Sequence, residues 1–251
     1  MAKLPPRASR KRTIVIVIGG GLGVAVIAFL LIYFLLFPTS SPKRFALKAA
    51  VTSTTSTSTS TSGAVPDTST GTGSGTYQIS SGSQAGYRVR EKLAFLPAES
   101  DAVGRTSQIT GSATLTKAAS GVTIKAASFS VAVNTLKSDK SLRDEKIHQI
   151  GLESDRYPTA TFALSSPITL PASALKGNVV HVSATGVFNI HGVSKRETFP
   201  LEMTVSGATL AAAGSLTFPW SEFGMTAPSL GGFVNVTGKA TMEFDLRLTR
   251  A

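Results

Sequence analysis

Two hydrophobic patterns divide this chain. From Ile14 to Phe37 runs an apolar stretch of 24 residues without a charge. From Thr76 onward apolar and polar residues alternate instead, the period-two signature of half-buried strands. Ala240, Met242, Phe244, Leu246 and Leu248 share one face, with Lys239, Thr241, Glu243, Asp245 and Arg247 opposite. Val180, Val182, Ala184, Phe188 and Ile190 form a second such face, and Phe199, Leu201, Met203 and Val205 a third. Leu210, Ala212, Leu216 and Phe218 make a fourth, Ile109, Ala113 and Leu115 a fifth. Parity slips between Val122-Ile124-Ala126 and Phe129-Val131-Val133, which predicts a bulge or sharp bend in a long strand. One segment breaks the alternation. Ser138 to Ile150 is expected to be a short helix, with Ser138 as N-cap and Leu142, Ile147 and Ile150 toward the core.

At least eight candidate strands and one helix predict an all-β domain over residues 76–251, either a closed barrel or a sandwich, since both hide strand edges. Its apolar faces are rich in small residues: Gly111, Ala113, Ala126, Ala184, Gly186, Ala212, Gly214 and Ala240. A filled core wants volume at such positions. On the inner wall of an eight-stranded barrel they leave room for a ligand; in a sandwich they let two sheets approach closely. The pattern alone leaves both open.

As a helix, the apolar run spans about 36 Å, enough for a bilayer with some tilt. Lys3, Arg7, Arg10, Lys11 and Arg12 precede it, which orients residues 1–13 as a cytoplasmic tail and sends the rest outside the cytoplasmic membrane. A cleaved signal peptide is the alternative, but its apolar core runs about 7–15 residues and ends in a small-residue site. Residues 14–37 are therefore expected to be a single-pass anchor in the cell membrane. Between Pro38 and Gly75, 19 of 38 residues are Ser or Thr, leaving too few large side chains to offset ordering entropy. Residues 38–75 are expected to be a disordered tether with a reach of about 35 Å.

The net charge of +11 invites a nucleic-acid reading, so its location matters. Residues 1–12 carry +5 and the tether +2, which leaves +4 on the domain. The excess is topogenic, and no nucleic-acid partner is expected. The chain has no cysteine, which excludes thiolate catalysis, disulfides and Cys-ligated metals. With His148, His181 and His191 the only imidazoles, no metal site is expected. No G-x-S-x-G elbow, phosphate loop or dinucleotide fingerprint is present, so neither a catalytic residue nor a cofactor is predicted.

Four segments, in order and spacing, resemble the YceI-like family of exported lipocalin-like proteins. They are Ser83-Gln84-Ala85-Gly86-Tyr87-Arg88-Val89; Asn134-Thr135 with Leu142-Arg143-Asp144 and Tyr157-Pro158-Thr159-Ala160-Thr161-Phe162; Gly186-Val187-Phe188-Asn189-Ile190-His191-Gly192-Val193-Ser194-Lys195; and Phe223-Gly224-Met225. The resemblance spans Tyr77 to Leu248. It implies an extended eight-stranded antiparallel lipocalin-like barrel with one short helix, and a lumen for long isoprenoid chains of quinone or prenyl-phosphate type. The family often carries a histidine shortly after the Arg-Asp pair; Lys146 stands there, with His148 two residues on. Phe129, Phe162, Phe188, Phe199, Met203, Phe218, Met242 and Phe244 are then the lumen candidates, and Arg143 and Asp144 the candidates for the lipid's polar head. The resulting expectation is a non-enzymatic, membrane-tethered protein that sequesters or carries an isoprenoid lipid. Alternatives are an envelope interaction module with a filled core, or an enzyme acting on an envelope lipid.

Overall fold

Alternation along the chain becomes twelve antiparallel strand segments in the computed structural model, which describes residues 41–47, 73–94 and 98–251. They are β1 (Gly75–Ile79), β2 (Gln84–Leu93), β3 (Ser100–Thr106), β4 (Ile109–Ala118), β5 (Gly121–Ala132), β6 (Thr159–Leu164), β7 (Ile168–Pro171), β8 (Val180–Ile190), β9 (Val193–Ser206), β10 (Thr209–Phe218), β11 (Ser229–Leu230) and β12 (Val234–Arg250). The helix α1 (Ser141–Gln149) joins β5 to β6. β1 and β2 are halves of one stave, as are β3 and β4, and β6 and β7; β11 lies off the wall. Eight staves remain, in sequence order around an up-and-down barrel. β12 closes it by pairing with β10 on one edge and with both β2 and β1 on the other. The pattern's choice between barrel and sandwich thus falls to the barrel.

The parity slip in β5 is a bulge, between Thr114 and Leu115 on β4 and Ala126 and Ile124 on β5. It turns Ala126 outward to solvent and Ala127 inward, which corrects the inward placement expected for Ala126. The helix also differs from expectation. It begins at Ser141, because Ser138 turns the chain before it: the Ser138 amide donates to Asp144 Oδ1 at 2.8 Å, and the Lys140 amide donates to Ser138 Oγ. That turn points Leu142 outward, 61% exposed, instead of toward the core.

Both barrel ends are packed. At the end away from α1, Tyr77, Val122, Leu170, Ala174 and Val205 have no exposed surface. At the α1 end, Phe218 packs edge-on against Phe223, ring centroids 4.7 Å apart, beneath the loop that carries Trp220. The indole Nε1 of Trp220 donates to the Gly238 carbonyl, where a second bulge interrupts the β2–β12 register.

On the outer wall, two polar residues that alternation places toward solvent are buried: Thr241 and Glu243, the latter 1% exposed. Thr241 is paired with Thr217 at 2.8 Å, and Glu243 lies under Arg88 and Arg105, which the segment 42–47 covers within the same compact unit, Pro42–Ala251. Residues 42–47 fall in the stretch expected to be tether, so the tether reading does not extend to them. The expected anchor, residues 14–37, and the Ser/Thr run lie outside the described residues.

Candidate functional site

Between its packed ends the barrel is hollow. The cavity measures ≈ 100 Å³. An apolar cavity of about 150 Å³ admits one benzene, so this one takes a chain of about four carbons as it stands. Thr161 is the one polar residue on its wall. Water inside would lack hydrogen-bond partners, so the space suits an apolar occupant. Phe129, Phe162, Met242 and Phe244 face inward yet remain only half-buried, because they look onto that space. The core is therefore not filled, as an interaction module with a solid interior would require.

The walls show how small residues create this shape, and only part of the expectation holds. Ala113 and Ala127 are register partners on β4 and β5, and both open onto the cavity. Ala184 and Ala212 do the same on β8 and β10. The glycines act differently, by seating aromatic rings. A Cβ on Gly111 would stand 2.7 Å from the ring of Phe129, one on Gly186 2.2 Å from Phe162, and one on Gly214 2.9 Å from Phe244. Phe162 in turn lies 4.7 Å from Phe188 and 5.7 Å from Phe199, centroid to centroid. Glycine thus lets the rings lie flat against the wall, and alanine leaves the hollow beside them.

A polar cluster occupies the α1 end. Arg143 Nε and Nη2 donate to Glu91 Oε1 and Oε2 at 2.9 and 2.8 Å, and Nη1 donates to Ser138 Oγ and to Asp139. Burial works against the Arg143 charge, but the Glu91 carboxylate outweighs it and raises the pKa further above its usual range. Beside them the Tyr87 phenol is pushed up mainly by burial, with Arg143 pulling it partly back. Its oxygen is buried and makes no aligned hydrogen bond among the described residues.

A family profile described as YceI-like domain matches residues 77–248. The chain belongs to the YceI-like family. A polyisoprenoid binding domain from Saccharophagus degradans, implicated in plant cell wall breakdown, shares the fold, with TM-score 0.53 and 14% identity over 71% of this chain and 99% of its own. BcnA from Burkholderia cenocepacia gives TM-score 0.46 and 20% identity, covering 66% of this chain and 95% of its own. A Campylobacter jejuni YCEI protein gives 0.43 and 12%, covering 84% and 99%. Among curated proteins, none matches this chain.

In this YceI-like domain, seven of the eight lumen candidates line the cavity: Phe129, Phe162, Phe188, Phe199, Met203, Met242 and Phe244. Phe218 does not; it faces inward, but one step too near the α1 end, where it packs on Phe223. Arg143 and Asp144 do not line it either, since Glu91 and Asp139 hold the first and the Ser138 amide the second. Glu91 is not among the expected site residues, although its inward place on β2 is legible from parity with Ala85 and Val89. His191 occupies a left-handed turn position at φ 54°, packs at a tilt against Tyr157 with ring centroids 4.2 Å apart, and lies 3.2 Å from Glu153 Oε1. That arrangement locks two loops together. Among the described residues no three His, Asp or Glu side chains converge as a metal site.

Proposed function

We propose that this domain binds an isoprenoid-type lipid, its apolar chain in the barrel cavity, and that residues 14–37 anchor it in the cytoplasmic membrane with the barrel outside. The hollow apolar lumen carries this reading. At about 0.8 kcal/mol per methylene removed from water, about four buried carbons supply roughly 3 kcal/mol before the costs of ordering, and a lumen that opens further supplies more. The polyisoprenoid ligand named for the S. degradans domain is of the class this lumen suits. About one five-carbon unit fits the hollow as it stands, and entry of a longer chain requires a packed end to open and the rings facing the hollow to move. The lipid's polar head, quinone or phosphate, belongs at the α1 end. There the Tyr87 hydroxyl lies beside Ser138 and can turn to donate, and Arg143 becomes a donor when Glu91 releases it.

Binding here is sequestration without chemistry, which suits storage or carriage of a lipid that water would otherwise drive into the bilayer. Mass spectrometry of an organic extract from the purified full chain tests it. A prenyl lipid near one per protein is expected, replaced by an added prenyl lipid on exchange. Protein that carries none and takes up none refutes the binding reading. N-terminal sequencing of the membrane-derived protein tests the anchor: a mature end between Pro38 and Ala50 refutes it.

A further inference from the structure

The outer wall carries a second built site, occupied by the chain itself. Arg88 Nη2 donates to the Pro42 carbonyl and Arg105 Nη2 to the Lys43 carbonyl, both at 2.6 Å. The Leu47 amide donates to Glu202 Oε2 at 2.7 Å. Between these points the Arg105 guanidinium lies 3.9 Å from the Phe45 ring centroid, a cation–π contact. Phe45 and Leu47 then fill a shallow slot whose floor is Ala211 and Ala213 on β10. Those alanines point away from the lumen, yet almost none of their surface is exposed.

The wall is shaped and charged for this occupant. Arg88 and Arg105 both also hold Glu243, at 3.2 and 2.9 Å, so a buried ion cluster lies directly beneath the segment. Removing the cover would rewet that cluster and uncover the alanine floor. An extended strand of five or six residues with aromatic and aliphatic side chains two apart is what the slot accepts. Residues 42–47 supply it, with Phe45 and Leu47 on the same side.

We propose that residues 42–47 are a reversible latch, docked in cis on the β2–β12–β10 wall. A docked segment tied to its own barrel experiences an effective concentration on the order of millimolar, so modest contacts suffice to hold it and still let it leave. While docked, residues 42–47 are withdrawn from the stretch between the apolar run and the barrel, and release returns them to it.

Limited trypsin digestion of the full chain reads the docking alone, whatever the lipid or the anchor prove to be. The Arg44–Phe45 bond should be cut at least about tenfold more slowly than in Ala213→Gln, which fills the slot and leaves the cleavage site itself unchanged. Phe45→Ala should lose protection similarly. Both variants should keep the parent's melting of the barrel to within a few degrees, since neither touches the lumen. Added peptide spanning residues 41–48 should speed the cut in the parent protein by competing for the slot. Equal cutting in parent and variants overturns the latch, and protection that rises with protein concentration overturns its cis assignment.

Discussion

Gly186 lies so close beneath Phe162 that a Cβ at position 186 would stand 2.2 Å from a ring carbon and 2.7 Å from the Ala163 carbonyl oxygen. The glycine is needed for space, since its φ is not in the left-handed region. Gly186→Ala should therefore destabilise the domain by about 1–3 kcal/mol, the usual cost of overpacking. It should also drive Phe162 into the cavity and weaken prenyl-lipid uptake. Urea unfolding and lipid titration check the two effects.

Ala127→Leu should behave in the opposite way. Position 127 is half-buried and opens onto empty space, so the added carbons fill a hollow. Stability should stay within about 1 kcal/mol of the parent or rise. Lipid stoichiometry in organic extracts should fall. Retained lipid with raised stability would show that the chain lies elsewhere.

Removing one member of the outer-wall ion cluster should cost far more than removing the pair. Glu243→Ala removes the carboxylate shared by Arg88 and Arg105 and leaves Arg88, 4% exposed, with Asp101 still bound at 3.0 Å, an expected loss of about 3 kcal/mol. Arg88→Met with Glu243→Leu should recover a large part of that. A double-mutant cycle by denaturant unfolding measures the coupling.

Arg143→Lys should not substitute for arginine. The Glu91 pair is bidentate, and an ammonium offers a point charge in place of a fork. A loss of about 1–3 kcal/mol is expected, since Glu91 is largely buried. Thermal melts of the variant and of Glu91→Gln check this.

Two carboxyl groups give opposite pH signatures. Glu222 is raised above its ordinary value, first by burial and then by Glu197 beside it, with Lys195 and Lys239 offsetting in part. A carboxyl raised in the folded state penalises the fold when ionised, so its contribution improves as pH falls. Glu222→Gln should melt up to about 2 °C higher at pH 7, with the gap closing below about pH 4. Burial also works to raise Asp101, but Arg88 and Arg90 outweigh it and hold the carboxyl low. Its contribution is present above the ordinary aspartate range and is lost as pH falls through its lowered value, so Asp101→Asn should flatten that acid limb.

Alternation made the barrel wall legible, since parity alone decides which side of a strand a residue takes. Seven lumen residues and the β5 bulge follow from it. What lies across the lumen is not written in parity. Gly111 and Gly214 therefore looked like room for a ligand, although each lies beneath a phenylalanine on the neighbouring strand. Phe218 shares the inward face of the lining residues, and only its height in the barrel separates it from them. Glu243 looked solvent-facing because the cover comes from a distant segment. The available signal was Phe45 and Leu47, two large apolar residues spaced as on a strand in a stretch otherwise poor in them. At α1, Ser138 fits the N-cap preference, but its Oγ already accepts from the Lys140 amide and from Arg143 Nη1, ahead of the first helical turn.

β12 closes the barrel, pairing with β10 along one side and with β2 and β1 along the other. Tyr77 near the start of the domain meets Arg250, next to its last residue. Until those final residues have been made, the growing chain is a curling sheet with two raw margins, and joining them costs the largest loop closure in the molecule. Such long-range pairing is slow to form. A protein shortened by its last strand would be an open sheet with an adhesive seam, ready to pair with its own kind.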